Sequence, residues 1–423
     1  MFWFNQLNLT FMKNFILFFA LLFSFSSFAQ IEGTWNGNIE IPNQKLPFIL
    51  HITKEDNQFK ATSDAPSQGA FGIEINEVRF EKNMLYLKQN QTMMIYEGKL
   101  IDDQNIQGTF KQGNYSFTLN LTKAEAKKSN SSEVKNFKVK ELKVSEELHG
   151  DLYEASNKET VILLIAGSGP TDRNGNTLGI AVNNSLKYLA EGLAENNYNV
   201  FTYDKRMVYM LKKQKEIFSP DFQHGINDAE TVISYLKNTL DYKNIIVAGH
   251  SEGSLVGMTA SQKNISAFIS LAGSGNPIDV ILKEQINKQA PVLNDDNTKI
   301  LEQLKEGKIV KDVNPMLQSL YAEESQPFLI DWISRNPQTE ISKLNIPVLI
   351  INGTKDIQVG IKEAELLHKA NPKSTMVIIE YMNHIFKKIE KDEDNLPSYN
   401  NPGLPIQKEL TNAILNFLKE NKL

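Results

Sequence analysis

Three positions in this chain have the side chains needed for acyl transfer: Ser251 within Gly249-His250-Ser251-Glu252-Gly253, Asp356, and His384. A serine hydroxyl is a weak nucleophile until a neighbouring imidazole takes its proton. The imidazole in turn needs a carboxylate to hold its tautomer and stabilise its cation. On the mostly parallel sheet expected for this chain, a serine presented by a strand–turn–helix is expected to be followed by the acid and then the histidine. Only His368 and His384 follow the plausible acids. His368 falls within 362–370, a helical stretch. His384 comes after the last apolar strand and a short loop, where a base must hang over Ser251; a solvated loop histidine is the competing explanation. Asp356 closes a Gly353-Thr354-Lys355-Asp356 turn after the apolar run 348–351. Aspartate is also a common turn former, and Glu363 is the nearest substitute.

The stretch around Ser251 must position it. Residues 245–248 are a short apolar run, as a buried strand requires, and 254–261 are small and apolar enough for a buried helix. Gly249 and Gly253 leave room where strand and helix nearly touch, and the serine is expected in a strained conformation at the N-terminus of the helix. An oxyanion formed there needs two backbone donors. The N–H of Glu252 is one. The other is expected from the loop after the run 161–166, with Ser168 preferred and Gly169 the alternative. Gly167 and Gly169 let that backbone approach the substrate. Glu252 also has its side chain available to substrate, although solvation at a helix N-terminus explains it equally well.

The remaining pattern after residue 134 alternates strands and helices. An antiparallel pair is expected at 137–144 and 148–154. Strands follow at 161–166, 200–203, 245–248, 267–271, 348–351 and 376–379, with helices at 185–195, 226–240 and 410–418. This predicts a mostly parallel sheet covered on both faces. Residues 275–342 interrupt the alternation and are expected to form a helical cap over Ser251. Within the cap, Phe328 and Trp332 are candidates for lining a substrate pocket, against the plainer role of packing the cap on the sheet.

Residues 30–123 have a period of two and frequent turn signals. Strands are expected at 33–40, 46–53, 59–63, 75–80, 84–87, 92–100, 105–110 and 115–122, giving an all-β sandwich or small barrel. Gly33-Thr34-Trp35 resembles the start of lipocalin-like barrels. Residues 124–134 are charged and serine-rich and are expected to link the two domains.

The 423-residue chain is 41% apolar and 22% charged, with a formal net charge of −5. Its only arginines are Arg79, Arg173, Arg206 and Arg335, so nucleic-acid binding has no support. The absence of cysteine excludes disulfides, thiolate metal sites and a cysteine nucleophile. No metal or organic cofactor is expected. Lys13, the apolar run 15–23, and small residues at Ser27 and Ala29 read as a secretory signal peptide cleaved after Ala29. The mature protein is then expected to be secreted or periplasmic, without stable membrane insertion.

Residues 135–423 resemble the α/β-hydrolase superfamily, and bacterial carboxylesterases in particular. The motifs that carry the resemblance are Gly167-Ser168-Gly169-Pro170-Thr171-Asp172-Arg173-Asn174-Gly175-Asn176, Tyr203-Asp204-Lys205-Arg206, the Ser251 pentapeptide, the turn ending in Asp356, and Asn383-His384. One departure is Met207, where related chains often have glycine. The resemblance implies a serine esterase acting on a small-molecule ester. An aminopeptidase or amidase on the same fold is the enzymatic alternative, and a non-catalytic binding protein the other. Oligomeric state is left open.

Overall fold

The computed structural model describes residues 31–41, 44–55, 58–65, 70–90, 93–113, 115–124, 135–178, 180–213, 221–262 and 264–423. The expected signal peptide and nearly all of the expected linker lie outside these residues. The chain divides into two compact units, residues 1–130 and 131–423.

The first unit is one antiparallel sheet of ten strands: β1 (Gly33–Ile41), β2 (Gln44–Glu55), β3 (Gln58–Ala65), β4 (Ala70–Glu74), β5 (Glu77–Glu81), β6 (Met84–Gln89), β7 (Met94–Asp102), β8 (Asn105–Gln112), β9 (Tyr115–Thr118) and β10 (Leu121–Lys123). Their order is β4-β3-β2-β1-β10-β8-β7-β6-β5, with β9 on β8. Phe59 on β3 meets Phe80 on β5 edge-to-face at 6.1 Å, so the sheet curls back on itself. The interior is filled by Trp35, Leu50, Leu85, Leu87 and Tyr96. The indole N–H of Trp35 donates to the Ile31 carbonyl and the Tyr96 hydroxyl to that of Leu119, which removes the cost of burying those polar ends. Two expected strands are in fact interrupted. The 75–80 run becomes a strand only from Glu77, with the Ile75 N–H donating to the Ala61 carbonyl at 3.0 Å before it, and 115–122 splits at Leu119-Asn120 so that β9 and β10 both pair with β8. Period-two patterning continues across such breaks, so only the pairing reveals them.

The second unit has an eight-stranded sheet: β11 (Lys138–Lys143), β12 (His149–Glu154), β13 (Thr160–Ile165), β14 (Asn199–Tyr203), β15 (Asn244–His250), β16 (Ala267–Leu271), β17 (Val348–Gly353) and β18 (Thr375–Ile379). The order is β11-β12-β14-β13-β15-β16-β17-β18. From β14 onward the pairs are parallel, while β11 and β12 are antiparallel. Side chains alternate across a strand. Val161, Leu163 and Ile165 therefore enter one core and Ile162, Leu164 and Ala166 the other, which is why β13 reads as an unbroken apolar run.

Helices α1 (Ser185–Glu195), α2 (Arg206–Lys212), α3 (Phe222–Asn238), α4 (Glu252–Ala260), α5 (Ile278–Gln289), α6 (Asn294–Lys305), α7 (Gln326–Ile333), α8 (Pro337–Ser342), α9 (Ile361–Ala370) and α10 (Lys408–Glu420) complete the unit, with shorter turns between them. α3 and α4 cover one face of the sheet, α1 and α10 the other. α3 begins four residues before its expected start because Asp221 caps it, accepting from the His224 N–H at 3.0 Å. It buries Phe222, Ile226, Val232, Ile233 and Leu236. At about 1.5–3 kcal/mol each, this burial outweighs intrinsic helix preference. The segment from α5 to α7 has a core of its own, built on residues such as Leu282, Leu304, Tyr321 and Leu329. Among the described residues no helix is long and apolar enough to cross a membrane.

Candidate active site

β15 ends at His250 and α4 begins at Glu252, so Ser251 alone makes the turn. Its backbone is at φ 55° and ψ −119°, a conformation that costs a non-glycine residue about 1–3 kcal/mol. The surrounding approach explains how this is held. A Cβ on Gly249 would lie 2.0 Å from the Gly253 carbonyl oxygen, and one on Gly253 would lie 2.4 Å from that of Ala166. Any side chain at either position would drive strand and helix apart.

Asp356 lies in the turn after β17. Its Oδ1 accepts the N–H groups of Gln358 and Val359, each at 2.8 Å, and its Oδ2 accepts from His384 Nδ1 at 2.8 Å. Both side chains are buried. With the Nδ1 proton held by Asp356, neutral His384 has Nε2 free to accept a proton. The loop carrying His384 is fixed by buried Asn383, whose amide donates to Asn395 Oδ1 and Ser398 Oγ and whose Oδ1 accepts from the Lys387 N–H. Ser251 Oγ makes no hydrogen bond to His384 here; such bonds often tighten only with substrate bound. The two alternatives have other tasks. His368 Nδ1 bonds Ser374 Oγ at 2.8 Å. Glu363 accepts from the backbone N–H of Gly275 and Asn276 and from the Asn276 side chain, where the cap leaves the sheet.

Nothing in the sequence suggests a role for His250 beyond packing. Its Nε2 must be the donor to the His384 carbonyl at 2.9 Å, because a carbonyl can only accept. Its ring lies 4.8 Å from those of both His384 and Phe386. Burial first, then the neighbouring His384, pushes the His250 imidazole down to about 3.

The loop after β13 reaches the serine. A Cβ on Gly167 would stand 3.3 Å from that of Ser251, Ser168 is exposed, and Gly169 has φ +80°. The loop is tied down by charge. Arg173 binds Asp204 through two side-chain bonds of 2.9 and 3.1 Å and also reaches Asp151, while Asp172 accepts the N–H groups of Asn174 and Asn176. Asp172 and Arg173 do not pair with each other. Arg206 pairs with Asp228 and Glu147, leaving Asp204 to Arg173. Lys205, which sequence reasoning passed over, donates to the Gly167 carbonyl at 3.0 Å and to Glu252 Oε1 at 2.7 Å. The only available signal was its place in the Tyr203–Arg206 motif.

Beside Glu252 and Gly169 is a cavity of about 190 Å³ walled by Met207, Phe222, Val256 and Phe328. Trp332 does not line this cavity. It stacks on Phe222 at 5.5 Å and meets Phe328 at 5.6 Å, behind the wall, because its place on α7 faces α3. Ser251 and Gly167 are likewise outside its lining.

A family model described as serine aminopeptidase, S33, matches residues 182–339. Esterase EstD of Thermotoga maritima is 25% identical over 238 residues, 53% of this chain and 54% of that protein. The chain thus spans about half the length of this curated relative. Among solved structures, an esterase of Pyrococcus furiosus is 17% identical with a TM-score of 0.43, covering 67% of this chain and 91% of that one. Est1E from Butyrivibrio proteoclasticus is 16% identical with a TM-score of 0.43, covering 67% and 98%. With a serine turn between β15 and α4, an acid after β17 and a histidine after β18 of a mostly parallel sheet, the second unit has the α/β-hydrolase fold, and residues 182–339 within it match the serine aminopeptidase, S33, family model.

Proposed function

We propose that this protein is a secreted serine hydrolase that cleaves small carboxylic esters through an acyl-enzyme. The observation that carries this reading is the buried Asp356–His384 pair at 2.8 Å, beyond the carboxyl ends of β17 and β18, as the strained Ser251 turn is beyond that of the parallel strand β15. His384 Nε2 takes the Ser251 proton as Oγ attacks the ester carbonyl. The N–H groups of Glu252 and Ser168 receive the oxyanion, with Gly169 the alternative second donor. His384 then passes its proton to the departing alcohol and activates water, which releases the acid and restores Ser251. Compact acyl groups fit the cavity beside Glu252. The relative's name, esterase, supports the ester reading.

The serine aminopeptidase description favours an amide substrate with a free ammonium. Such a group needs a carboxylate with charge to spare. The cavity's two buried carboxylates each already face a cation, Glu252 that of Lys205 and Asp228 that of Arg206, and Asp221, beside the His224 ring, stands half-exposed to water. The ester reading is therefore preferred. Export rests on the first 29 residues, and N-terminal sequencing of exported protein should find Gln30 first. The catalytic test is a fluorophosphonate, which should label wild type at Ser251 and leave Ser251→Ala unlabelled and at least about 10³-fold less active on nitrophenyl esters. Undiminished esterase activity in Ser251→Ala would rule the assignment out.

A further inference from the structure

The carboxyl ends of β14, β13 and β15 lie side by side, since β13 pairs in parallel with both neighbours. Lys205 follows the first, Gly167 the second and Glu252 the third. From β14, the Lys205 ammonium bridges the other two, donating to the Gly167 carbonyl at 3.0 Å and to Glu252 Oε1 at 2.7 Å. Its side chain is one-fifth exposed and that of Glu252 4% exposed, so water screens the pair little.

The Gly167 carbonyl and the Ser168 N–H belong to one peptide unit. That unit is trans, so its C=O and N–H point in opposite directions. A cation holding the carbonyl therefore turns the N–H away from the clamp. The next two carbonyls of the loop are also held: Thr171 Oγ1 donates to that of Ser168 at 2.8 Å and the Thr171 N–H to that of Gly169 at 2.9 Å. The N–H groups of Ser168 and Gly169 have no partner among the described residues. The other arm of the clamp grips the side chain of Glu252, whose own N–H is the second donor.

We infer that Lys205 and Glu252 are positioning residues that clamp the two halves of the oxyanion hole in register, and that Lys205 polarises the Gly167–Ser168 peptide so that its N–H becomes a stronger donor. This rests on the acyl-enzyme reading. Neither side chain needs to touch substrate; their effect is on the stage at which negative charge reaches the carbonyl oxygen.

The test compares Lys205→Met, Lys205→Arg and the double variant Lys205→Met with Glu252→Gln, which avoids a lone buried carboxylate. Active sites are counted by fluorophosphonate titration, so the reading is kcat per competent site. Affinity for a trifluoromethyl ketone, which forms a tetrahedral oxyanion on Ser251, is measured in parallel. Lys205→Met and the double variant should lose roughly 10- to 100-fold in kcat with KM within about twofold. Their ketone affinity should fall in step, and Lys205→Arg, which keeps a cationic donor, should recover most of the loss. A purely structural role would lower the number of titratable sites and leave kcat per site unchanged. That result, or a loss confined to KM, overturns the inference while leaving Ser251 as nucleophile. If Lys205→Met fails to fold, the double variant and Lys205→Arg decide by the same criteria. Failure of wild type to label at all would instead remove the underlying reading.

Discussion

His250 Nε2 donates to the main-chain carbonyl of His384 at 2.9 Å, so the residue just before the proposed nucleophile holds the loop that carries the proposed base. Because burial holds the His250 imidazole down at about 3, it stays neutral through the neutral pH range. Its single proton must then be on Nε2. His250→Gln, whose amide can donate to the same carbonyl, should keep most activity and leave the acid limb of the kcat/KM profile in place. His250→Leu should lose roughly 10- to 100-fold in kcat, through misplacement of His384. Equal activity in both variants would show that the bond does not position the base.

His384→Ala should match Ser251→Ala in its loss of kcat/KM, since serine and base act as one unit. Asp356→Asn should be milder, because the imidazole stays in place while its tautomer and cation lose support. His368→Ala should stay near wild type. An active His384→Ala beside a dead His368→Ala would reassign the base.

Glu363→Ala should separate stability from catalysis. The carboxylate accepts three N–H bonds of 2.7 to 2.9 Å at the root of the cap, one of them from the buried Gly275 amide. Losing hydrogen bonds to a charged acceptor should cost about 2–3 kcal/mol in urea unfolding. Turnover per folded molecule should change by less than about twofold, against the loss of orders of magnitude expected of a triad acid.

Lys387 makes stability depend on alkaline pH. It is fully buried, donates to the carbonyls of Asn183 and Leu404, and lies over the Tyr188 ring at 4.7 Å. Burial pushes its ammonium down to about 8, below the value of about 10.4 for an unfolded lysine. Between those values the unfolded chain binds the extra proton, so raising the pH favours the folded state. The unfolding free energy of wild type minus that of Lys387→Met should therefore rise from about pH 8 to pH 10 and be level below. A difference that stays level across that window would mean the ammonium is not depressed by burial.

Residues 161–166 and 245–248 were legible as buried strands because a strand covered on both faces needs apolar side chains at every position. Gly249 and Gly253 were legible because atoms 2.0 to 2.4 Å away exclude any Cβ. The proposed order Ser251, Asp356, His384 rests on strand order in that sheet, with Asp356 after β17 and His384 after β18. These constraints are local or set by strand order, so the residue types themselves carry them.

The partners of the long charged and aromatic side chains were settled only by tertiary structure. Asp204 went to Arg173 and Asp228 to Arg206, and Lys205 found Glu252 forty-seven positions later in the chain. Trp332 was placed behind Phe222 instead of in the cavity wall, and β9 and β10 separated within one alternating run. A flexible cation several ångströms long can satisfy its charge with any carboxylate brought within reach. Which one arrives depends on which strand ends are neighbours, and that β14 and β15 flank β13 is a property of the assembled sheet.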